Sequence, residues 1–283
     1  WAYSYGLTED RLRLYADDFC QIPASPPPLD KQKKTAETLD RYDDFIAQGE
    51  ALAVAKRRRF NWLFSRLFPA SGTSMPKGWS TAPITGVATI RFSGIDKKTA
   101  EGETPVRLCN YTDVFNNRRI TADLPFMAAT AKAREIEAFA LRPGDVVFTK
   151  DSETAEDIGA SAVVAEPLDN VICGYHLGVA RAKAKQVTGD YLAYALRHPW
   201  VREEFRKAAN GVTRFGLNLD VMDQVHVLVP SLEKQKIIAA ALHAVEDEID
   251  LLDKSLASLR LQKKGLMQRL FDNGVSSVKE AAE

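Results

Sequence analysis

The sequence predicts an α+β protein in which a strand-rich domain is flanked by two long helices that pair as an antiparallel coiled coil. Three observations predict this fold: a helical segment that occurs twice, an apolar seam in each copy, and mixed strand and helix signals between the copies. The chain has 283 residues, of which 45% are apolar and 27% charged, a composition typical of a globular protein with a sizeable core.

The repeated segment comprises residues 29–68 and 232–271, which align without a gap at a constant offset of 203 (232 minus 29). The copies share polar residues, such as Gln32 with Gln235, and both of their ends. Unrelated amphipathic helices share apolar spacing by chance but rarely share these features as well. We infer a true duplication, so both copies should adopt the same structure.

Each copy carries apolar residues at alternating spacings of three and four, which is typical of helices that pair along one seam. The middle of the first copy is small, at Gly49 and Ala53, where the second copy carries leucines. Large side chains against small ones suit a close helix pair. The residues expected to form the helix pair are Leu39, Ile46, Leu63, Leu67, Leu242, Ile249, Leu252, Leu256, Leu266 and Leu270.

Prolines and glycines mark the boundaries between these segments. Because domain termini are often close together, the end of the first helix should lie near the start of the second, which makes the pair antiparallel. Asn273–Gly274 is expected to cap the second helix. The predicted division is the tail of an upstream domain at 1–27, a first helix at 28–69, a domain at 70–229, a second helix at 230–274 and a disordered tail at 275–283.

The intervening domain shows short strand signals, several with β-branched residues, and a helical stretch broken near Pro199. These signals predict an α+β domain with an irregular, strand-rich body. The expected strands are Val87–Ile90, Arg107–Leu108, Val146–Phe148, Ala162–Val164, Val171–Cys173 and Gly178–Ala180.

No catalytic or metal site is apparent in the sequence. The three cysteines form no CxxC pair, which favours reduced, mostly buried thiols, and the four histidines share no metal-ligand spacing. A Walker A loop is absent, and the proline run at 26–28 lacks the flanking residues of a DNA-methylating loop. No apolar run approaches the ~20 residues that span a membrane. We therefore expect no enzyme activity, no metal, no cofactor and no membrane contact for this chain.

Three loops of the intervening domain combine polar, aromatic and basic side chains. DNA readers need this mixture, because Lys and Arg neutralise phosphates while Asn, Ser, Thr and Arg bond to base edges. Ordinary solvated turns are the alternative interpretation of each loop. The candidate DNA-binding residues are Asn110, Tyr111, Thr112, Asn116, Asn117, Arg118 and Arg119 in the first loop, Lys150, Ser152 and Thr154 in the second, and Thr213, Arg214 and Asn218 in the third.

A basic run, Lys56–Arg59, lies on the first helix. It is either a solvated helix face or a contact with DNA or an acidic partner. Lys+Arg and Asp+Glu balance at 38 each, so DNA binding requires that the basic groups are sorted onto one face or that a basic partner helps. Trp62 and Phe64, which follow the run, are interpreted as core residues.

Five short motifs occur in an order that is informative as a set. They are MPKGW at Met75–Trp79, LRPGDVVFTK at Leu141–Lys150, NGVTRFGLN at Asn210–Asn218, VPSLEKQ at Val229–Gln235 and KKGLMQRLF at Lys263–Phe271. Together with the repeated helix, they resemble the specificity subunits of type I restriction–modification enzymes over residues 28–274.

The resemblance implies a cytoplasmic, non-catalytic subunit that gives a restriction–modification complex its DNA sequence specificity. In that family, two target-recognition domains each read one half of a split site on double-stranded DNA, and the two helices set their spacing. The helices also dock modification methyltransferase subunits, which carry S-adenosylmethionine, and a motor-nuclease restriction subunit joins for cleavage. This chain departs from the pattern, because it holds one complete recognition domain and only the tail of another at 1–27.

The departure leaves three interpretations: a fragment, a natural half-subunit that pairs with a second copy of itself, or a chain whose first part is missing. Two alternatives to a specificity subunit also stand, namely a coiled-coil protein-interaction scaffold and the specificity portion of a fused restriction–methylase. DNA binding that strengthens as salt falls separates a DNA reader from a scaffold.

Overall fold

The computed structural model describes residues 15–21, 26–70 and 74–280, with side chains up to Arg269. Its helices are α1 (Ala16–Cys20), α2 (Leu29–Leu67), α3 (Ile84–Val87), α4 (Tyr111–Phe115), α5 (Ala133–Phe139), α6 (Gly189–Leu196), α7 (Pro199–Ala208) and α8 (Leu232–Glu280). Its strands are β1 (Trp79–Pro83), β2 (Ala88–Phe92), β3 (Thr104–Cys109), β4 (Arg119–Ile120), β5 (Met127–Ala131), β6 (Asp145–Thr149), β7 (Asp151–Ser152), β8 (Ser161–Val164), β9 (Val171–Cys173), β10 (Leu177–Ala182), β11 (Phe215–Gly216) and β12 (His226–Pro230).

The described chain divides into two compact units. One unit holds the residues up to Arg59 and those from Glu246 onward, and the other is Phe60–Val245. The two long helices each contribute to both units. They begin at Leu29 and Leu232, which are equivalent positions of the repeat, so the duplication seen in the sequence extends to the start of the helices.

In the first unit, α2 and α8 run antiparallel. Ion pairs join them at N···O distances of 2.5 to 2.6 Å. Asp43 and Glu50, which come earlier in α2, pair with residues 260 and 263 of α8, whereas Lys56 and Arg57, later in α2, pair with residues 248 and 253, nearer the start of α8. This order is possible only for antiparallel helices, so the predicted pairing is confirmed. The pairs are Asp43–Lys263, Glu50–Arg260, Lys56–Glu248 and Arg57–Asp253.

The seam between the helices follows the predicted alternation of three and four. Buried or half-buried positions recur at these spacings from Leu39 to Leu63 in α2 and from Ile238 to Leu266 in α8. Gly49 meets Leu256 so closely that a Cβ added at Gly49 would lie 2.6 Å from Leu256 Cδ2. A small residue in one copy therefore makes room for a large one in the other. Leu270 has its side chain outside the described residues.

The basic run on α2 has an intramolecular partner. Lys56 and Arg57 are the two members whose ammonium and guanidinium groups pair with carboxylates of α8. The acidic partner that the sequence left open is thus, for half of the run, the second helix of the same chain.

The end of α8 corrects one expectation. The helix continues through Asn273–Gly274 to Glu280, so the predicted cap at that dipeptide is wrong, and 275–280 are helical instead of disordered. A glycine inside a helix costs only about 1 kcal/mol relative to alanine, so Gly274 by itself does not require the helix to end there. Residues 281–283 and most of the predicted 1–27 tail lie outside the described residues.

The second unit is an α+β body built on a mixed five-stranded sheet in the order β2-β10-β6-β8-β4. A three-stranded sheet, β5-β3-β9, lies beside it, and two smaller pairs are β1-β12 and β11-β7. Strands β6, β8 and β9 are buried throughout, as their runs of Val, Ile and Ala require. All six predicted strands occur, and the helical stretch is broken between Leu196 and Pro199 as predicted.

The last turns of α2 belong to this second unit and pack through aromatic rings. Phe68 stacks on Tyr191, with ring centroids 5.7 Å apart and planes at 12°, and Phe64 lies 6.2 Å from the His198 ring. His198 also bonds to the Pro69 carbonyl at 3.0 Å. Trp62, by contrast, is 61% exposed, so its assignment to the core is wrong: it occupies the outward face of the same helical turns.

The first turns of α8 are held by one buried glutamine. Gln235 is 0% exposed, and its amide accepts a hydrogen bond from Thr188 N–H at 2.9 Å. The same amide donates to the carbonyl oxygens of Gln186 and Pro230 at 3.0 and 2.9 Å. Gln235 thereby ties the helix to the β10–α6 turn of the domain.

Candidate nucleic-acid interface

The three candidate loops, although far apart in sequence, converge within the second unit. The Tyr111 hydroxyl lies 3.2 Å from Ser152 Oγ, which joins the first loop to the second. Strand β7 of the second loop pairs with β11 of the third, with Ser152 opposite Phe215. With one adjacent turn, these segments form what we call the loop surface, comprising residues 110–117, 150–154, 174–176 and 210–218.

The first loop presents polar side chains on a short helix. Asn110 N–H donates to the Asp113 carboxylate at 2.7 Å, and the Asn117 amide donates to the Asp113 carbonyl at 3.0 Å. Burial raises the pKa of the Asp113 carboxyl above its usual range, although the Asn110 N–H opposes this. Thr112 and Asn116, four residues apart on one helix face, are exposed. Asn110 and Asn117 therefore fix the helix, while Thr112 and Asn116 are available to a ligand.

Two arginines of the same segment lie elsewhere. The Arg118 guanidinium carbon is 4.7 Å from the centroid of the Phe60 ring, at the end of α2. Arg119 begins strand β4 and lies close enough to Asp190 of α6 to lower the pKa of that carboxyl, to which the hydrogen bond from His243 contributes most. The structure thus groups these two arginines with the helices and separates them from Thr112 and Asn116.

Lys150, in the second loop, is held inside the domain. Its ammonium lies 2.5 Å from Asp151 Oδ2 and 5.0 Å from the centroid of the Tyr175 ring, and its side chain is only 11% exposed. A charge that is already paired and mostly buried has little left for a phosphate. Lys150 acts as a brace under the loop surface.

The remaining polar residues of the second loop also have intramolecular partners. Ser152 is 7% exposed, and the Thr154 hydroxyl donates to Asp157 Oδ2 at 2.7 Å. The Arg202 guanidinium donates to the backbone carbonyls of Glu156 and Ile158. These bonds give the segment a fixed conformation, so it supports its neighbours more than it projects from the domain.

The third loop is a tight hairpin with an exposed tip. Asn210 and Gly216 exchange both backbone hydrogen bonds, at 3.0 and 2.9 Å. Gly211 has φ +144°, and a Cβ there would lie 1.9 Å from the Arg214 carbonyl oxygen, so the turn requires glycine. Thr213 and Arg214 at the tip are exposed. Farther along the loop, Asn218 is also exposed, at the start of a 3-10 turn.

The structure places two further side chains beside the candidate loops, those of Tyr175 and His176, which the sequence analysis did not single out. They form the turn between β9 and β10, and Leu177 pairs with Thr149, which places the turn beside the second loop. The sequence signal for this turn is the aromatic pair Tyr-His between Gly174 and Gly178, in the run CGYHLG, because glycines that flank a short segment are typical of a turn.

Among the residues that the structure describes, no three His, Cys, Asp or Glu side chains could hold a metal ion. Cys109 and Cys173 are opposite each other in parallel strands, and burial raises the pKa of both thiols. Cys20 is exposed, so two of the three free cysteines are buried, as the prediction of mostly buried thiols has it. Within the same described ranges, no helix is both long and apolar enough to cross a membrane.

Residues 76–261 match the family of type I restriction modification DNA specificity domains. The chain belongs to this family. The matched range contains the whole loop surface and most of α8.

Relatives of this specificity-domain chain share its family at low identity. The StySPI specificity subunit of Salmonella potsdam is 23% identical over 210 residues, which cover 71% of this chain and 43% of that protein. The MjaVIII specificity subunit of Methanocaldococcus jannaschii is 22% identical over 267 residues, covering 89% of this chain and 62% of that protein. The chain thus spans about half of the length of these curated relatives.

One solved structure shows the same fold. The S subunit of a type I restriction–modification system from M. genitalium is 14% identical and superposes with a TM-score of 0.59, over 95% of this chain and 68% of that one. The mixed domain and the two long helices are therefore a fold already seen in an S subunit.

Proposed function

We propose that this chain gives a type I restriction–modification complex its DNA sequence specificity and has no catalytic activity of its own. The observation that carries the proposal is the convergence of three sequence-distant loops on one surface, joined by the Tyr111–Ser152 contact and the β7–β11 pair. A rigid body that displays several short loops together is the arrangement that positions side chains for DNA reading.

Within the loop surface, the exposed residues divide by chemistry. Thr112 and Asn116 share one helix face and carry the hydroxyl and amide groups that bond to base edges. Arg214, at the tip of the hairpin, carries a cation suited to a phosphate, and Thr213 beside it can bond to a phosphate oxygen. The other candidates in these loops hold the surface in shape. In this proposal, double-stranded DNA meets the first and third loops.

The helices are the proposed docking site for modification methyltransferase subunits, which would supply S-adenosylmethionine and the methyl-transfer chemistry. The helix pair uses its seam internally, yet large apolar side chains remain exposed outside it. Phe45 and Leu52, 61% and 49% exposed, lie seven residues apart on one face of α2, and Leu251 is 69% exposed on α8. Exposed apolar positions that recur on one helix face favour a protein partner.

Three wider features belong to the same proposal. A motor-nuclease restriction subunit would join the complex for cleavage. The DNA target would be bipartite, with this chain's domain reading one part and a second reader, in the same polypeptide or in a second copy, reading the other. The complex would act in the cytoplasm, where it has access to DNA.

The test is methylation by a reconstituted complex. The chain would be copurified with the methyltransferase encoded beside it and incubated with a random-sequence DNA library. We expect a stable complex and methylation that follows one short motif. If the chain does not bind the methyltransferase and the methylation follows no motif, the proposal is refuted.

A scaffold function is separated by salt dependence. Exposed apolar helix faces alone would also suit a protein-interaction scaffold, which would bind DNA weakly at every salt concentration. A DNA reader that releases counterions loses affinity steeply as salt rises. Titration of the complex with duplex DNA between low and physiological salt gives the answer.

Docking on α2 has a matched pair of variants. Phe45→Glu places a charge on the exposed apolar face and should abolish copurification with the methyltransferase. Ala47→Glu adds the same side chain at an exposed position about 200° around the helix from Phe45, away from the proposed docking face, and should leave copurification unchanged. Equal behaviour of the two variants would place the docking site elsewhere.

A further inference from the structure

The turn between β9 and β10 displays one aromatic side chain that no step above uses. Tyr175 is 47% exposed, although Cys173 and Leu177, two residues to either side of it, are 0% exposed. A single exposed aromatic residue needs no explanation by itself. Its rigidity and its position on the loop surface are what give it meaning.

The backbone of the turn is fixed from three sides. Gly174 N–H donates to the Cys109 carbonyl at 2.8 Å, and a Cβ at Gly174 would lie 2.7 Å from that oxygen. Ser93 Oγ donates to the Cys173 carbonyl at 2.6 Å. Lys150 N–H donates to the His176 carbonyl at 3.0 Å. The turn therefore presents Tyr175 in a defined place.

The ring is braced as well as the backbone. The His176 imidazole meets it edge-on, with centroids 4.6 Å apart and planes at 81°. The Lys150 ammonium lies 5.0 Å from the ring centroid and is held by Asp151 at 2.5 Å. A rigid aromatic side chain loses little conformational entropy when it makes a contact, which is why Tyr suits recognition surfaces.

The charges beneath the ring decide what it can recognise. Lys150, the cation beside this ring, is neutralised by Asp151 and mostly buried, so it offers little charge to a phosphate. This corner of the loop surface offers an apolar ring. In the major groove, the apolar group that distinguishes one base from the other three is the thymine 5-methyl.

We propose that Tyr175 is a specificity-determining residue whose ring packs against the 5-methyl group of a thymine in the recognised half-site. The proposal rests on the function proposed above, and it separates Tyr175 from Arg214, which we assign to the phosphate backbone. Loss of Tyr175 should change which sequence is preferred, whereas loss of Arg214 should weaken all sequences equally.

The test compares variants of the complex on a random DNA library and then on its preferred site. Tyr175→Ala should relax the preference at one position, occupied by thymine, by about tenfold. Tyr175→Phe keeps the ring and should keep the preference. Met75→Ala, which truncates another exposed apolar residue, should leave the whole profile unchanged, and Arg214→Gln should lower methylation at all sequences.

Uracil substitution then isolates the methyl group. Each thymine of the preferred site is replaced in turn by deoxyuridine, which lacks only the 5-methyl. Methylation by the wild-type complex should fall about tenfold when one particular thymine is replaced. Methylation by the Tyr175→Ala complex should not change at that position. If no thymine methyl matters, or the Ala variant remains sensitive, the proposal is overturned. A uniform loss for Tyr175→Ala, or an unfolded Ala variant whose Phe counterpart alters the profile, would also overturn it.

The failure of the function itself looks different. If the wild-type complex imposes no sequence preference, the specificity function is lost and Tyr175 has nothing to determine. If the wild-type complex is specific and Tyr175→Ala matches it at every position, only the assignment of Tyr175 fails.

Discussion

The two copies of the repeated helix carry the same glutamine in different surroundings. In both copies its side chain reaches back to a proline carbonyl five residues earlier, Gln32 to Pro27 at 2.7 Å and Gln235 to Pro230 at 2.9 Å. Gln235 is buried and bonds to Thr188 and Gln186 of the domain as well, whereas Gln32 is exposed.

This difference separates what the sequence of a helix specifies from what its neighbours add. The bond from glutamine to proline is local and recurs wherever the repeat recurs. The bonds from glutamine to the β10–α6 turn exist only where a domain packs on the helix. Among the described residues, Gln32 therefore makes the local helix bond, and Gln235 makes that bond together with the bonds that anchor the domain.

Replacing each glutamine by alanine, in two separate variants, should show the largest difference between the two copies. Gln235→Ala removes the side-chain partner of the buried Pro230 carbonyl and of the part-buried Thr188 N–H and Gln186 carbonyl, so it should lower the free energy of unfolding by about 3 kcal/mol. Gln32→Ala removes one exposed bond and should cost less than about 0.5 kcal/mol. Urea denaturation of the two variants measures both, and equal losses would contradict an anchoring role.

A second difference between the copies lies in the middle of the seam. Gly49→Leu gives the first copy the residue that the second carries at Leu252. The new side chain would collide with Leu256, and overpacking of this kind should destabilise the helix pair by about 2 kcal/mol.

The control for this change is Gly265→Ala in α8. Nothing lies within 4 Å of a Cβ added there, so this variant should gain up to about 1 kcal/mol of helix propensity. Thermal melting followed by circular dichroism compares the two. A Gly49→Leu protein as stable as the wild type would show that the helices are not packed as described.

The packing of His198 against the aromatic rings at the end of α2 should make the stability of the protein depend on pH. Burial lowers the pKa of His198 below its usual range, with the Pro69 carbonyl opposing, so the folded protein favours the neutral ring. Its stabilising contribution is complete above the unfolded pKa of about 6.5 and is lost as pH falls through the folded pKa.

His198→Asn tests this by keeping an acceptor for the N–H of Trp200, which now bonds to the ring at 3.3 Å. The variant should lose about 1 kcal/mol at pH 8 and show a flatter decline in stability below pH 6.5 than the wild type. Denaturation curves across pH 5 to 8 provide the comparison. An unchanged slope would mean that His198 does not titrate in this way.

The smallest effect concerns the ion pairs beside the seam. Lys263 interrupts the apolar spacing of α8 and pairs with Asp43, whose side chain is 59% exposed. Lys263→Ala should cost about 0.5 kcal/mol at low salt, and less at high salt, because exposed pairs are screened. A loss that does not change with salt would indicate packing by the lysine stem.

The fold could be predicted from the sequence wherever a segment carries its own pattern of repeats or apolar residues. The offset of 203 and the alternation of three and four are properties of the chain alone, so the helix starts and the antiparallel pairing followed from them. The strands with β-branched residues, such as Val146–Phe148, were likewise visible. Strand β5, whose run Met127–Ala131 is mostly alanine and threonine, carries no such signal and depends on its pairing with β3.

The candidate site was predictable as a set of loops but not as an arrangement. Composition identifies Thr112 and Arg214 as suitable for DNA, and equally identifies Lys150, whose charge the fold pairs with Asp151. Nothing in the sequence shows that Arg118 packs on Phe60, because that contact joins segments far apart in the chain. Tyr175 was missed because an aromatic residue in a turn has no periodic pattern.

The most direct test of the central claim, that the loop surface reads DNA, is the motif methylated by the complex before and after Thr112 and Asn116 are changed to Ala. We expect that the double variant still copurifies with the methyltransferase but that the methylated motif changes or loses definition at adjacent positions. An unchanged motif with full methylation would contradict the account, because it would place the reading of DNA outside these loops.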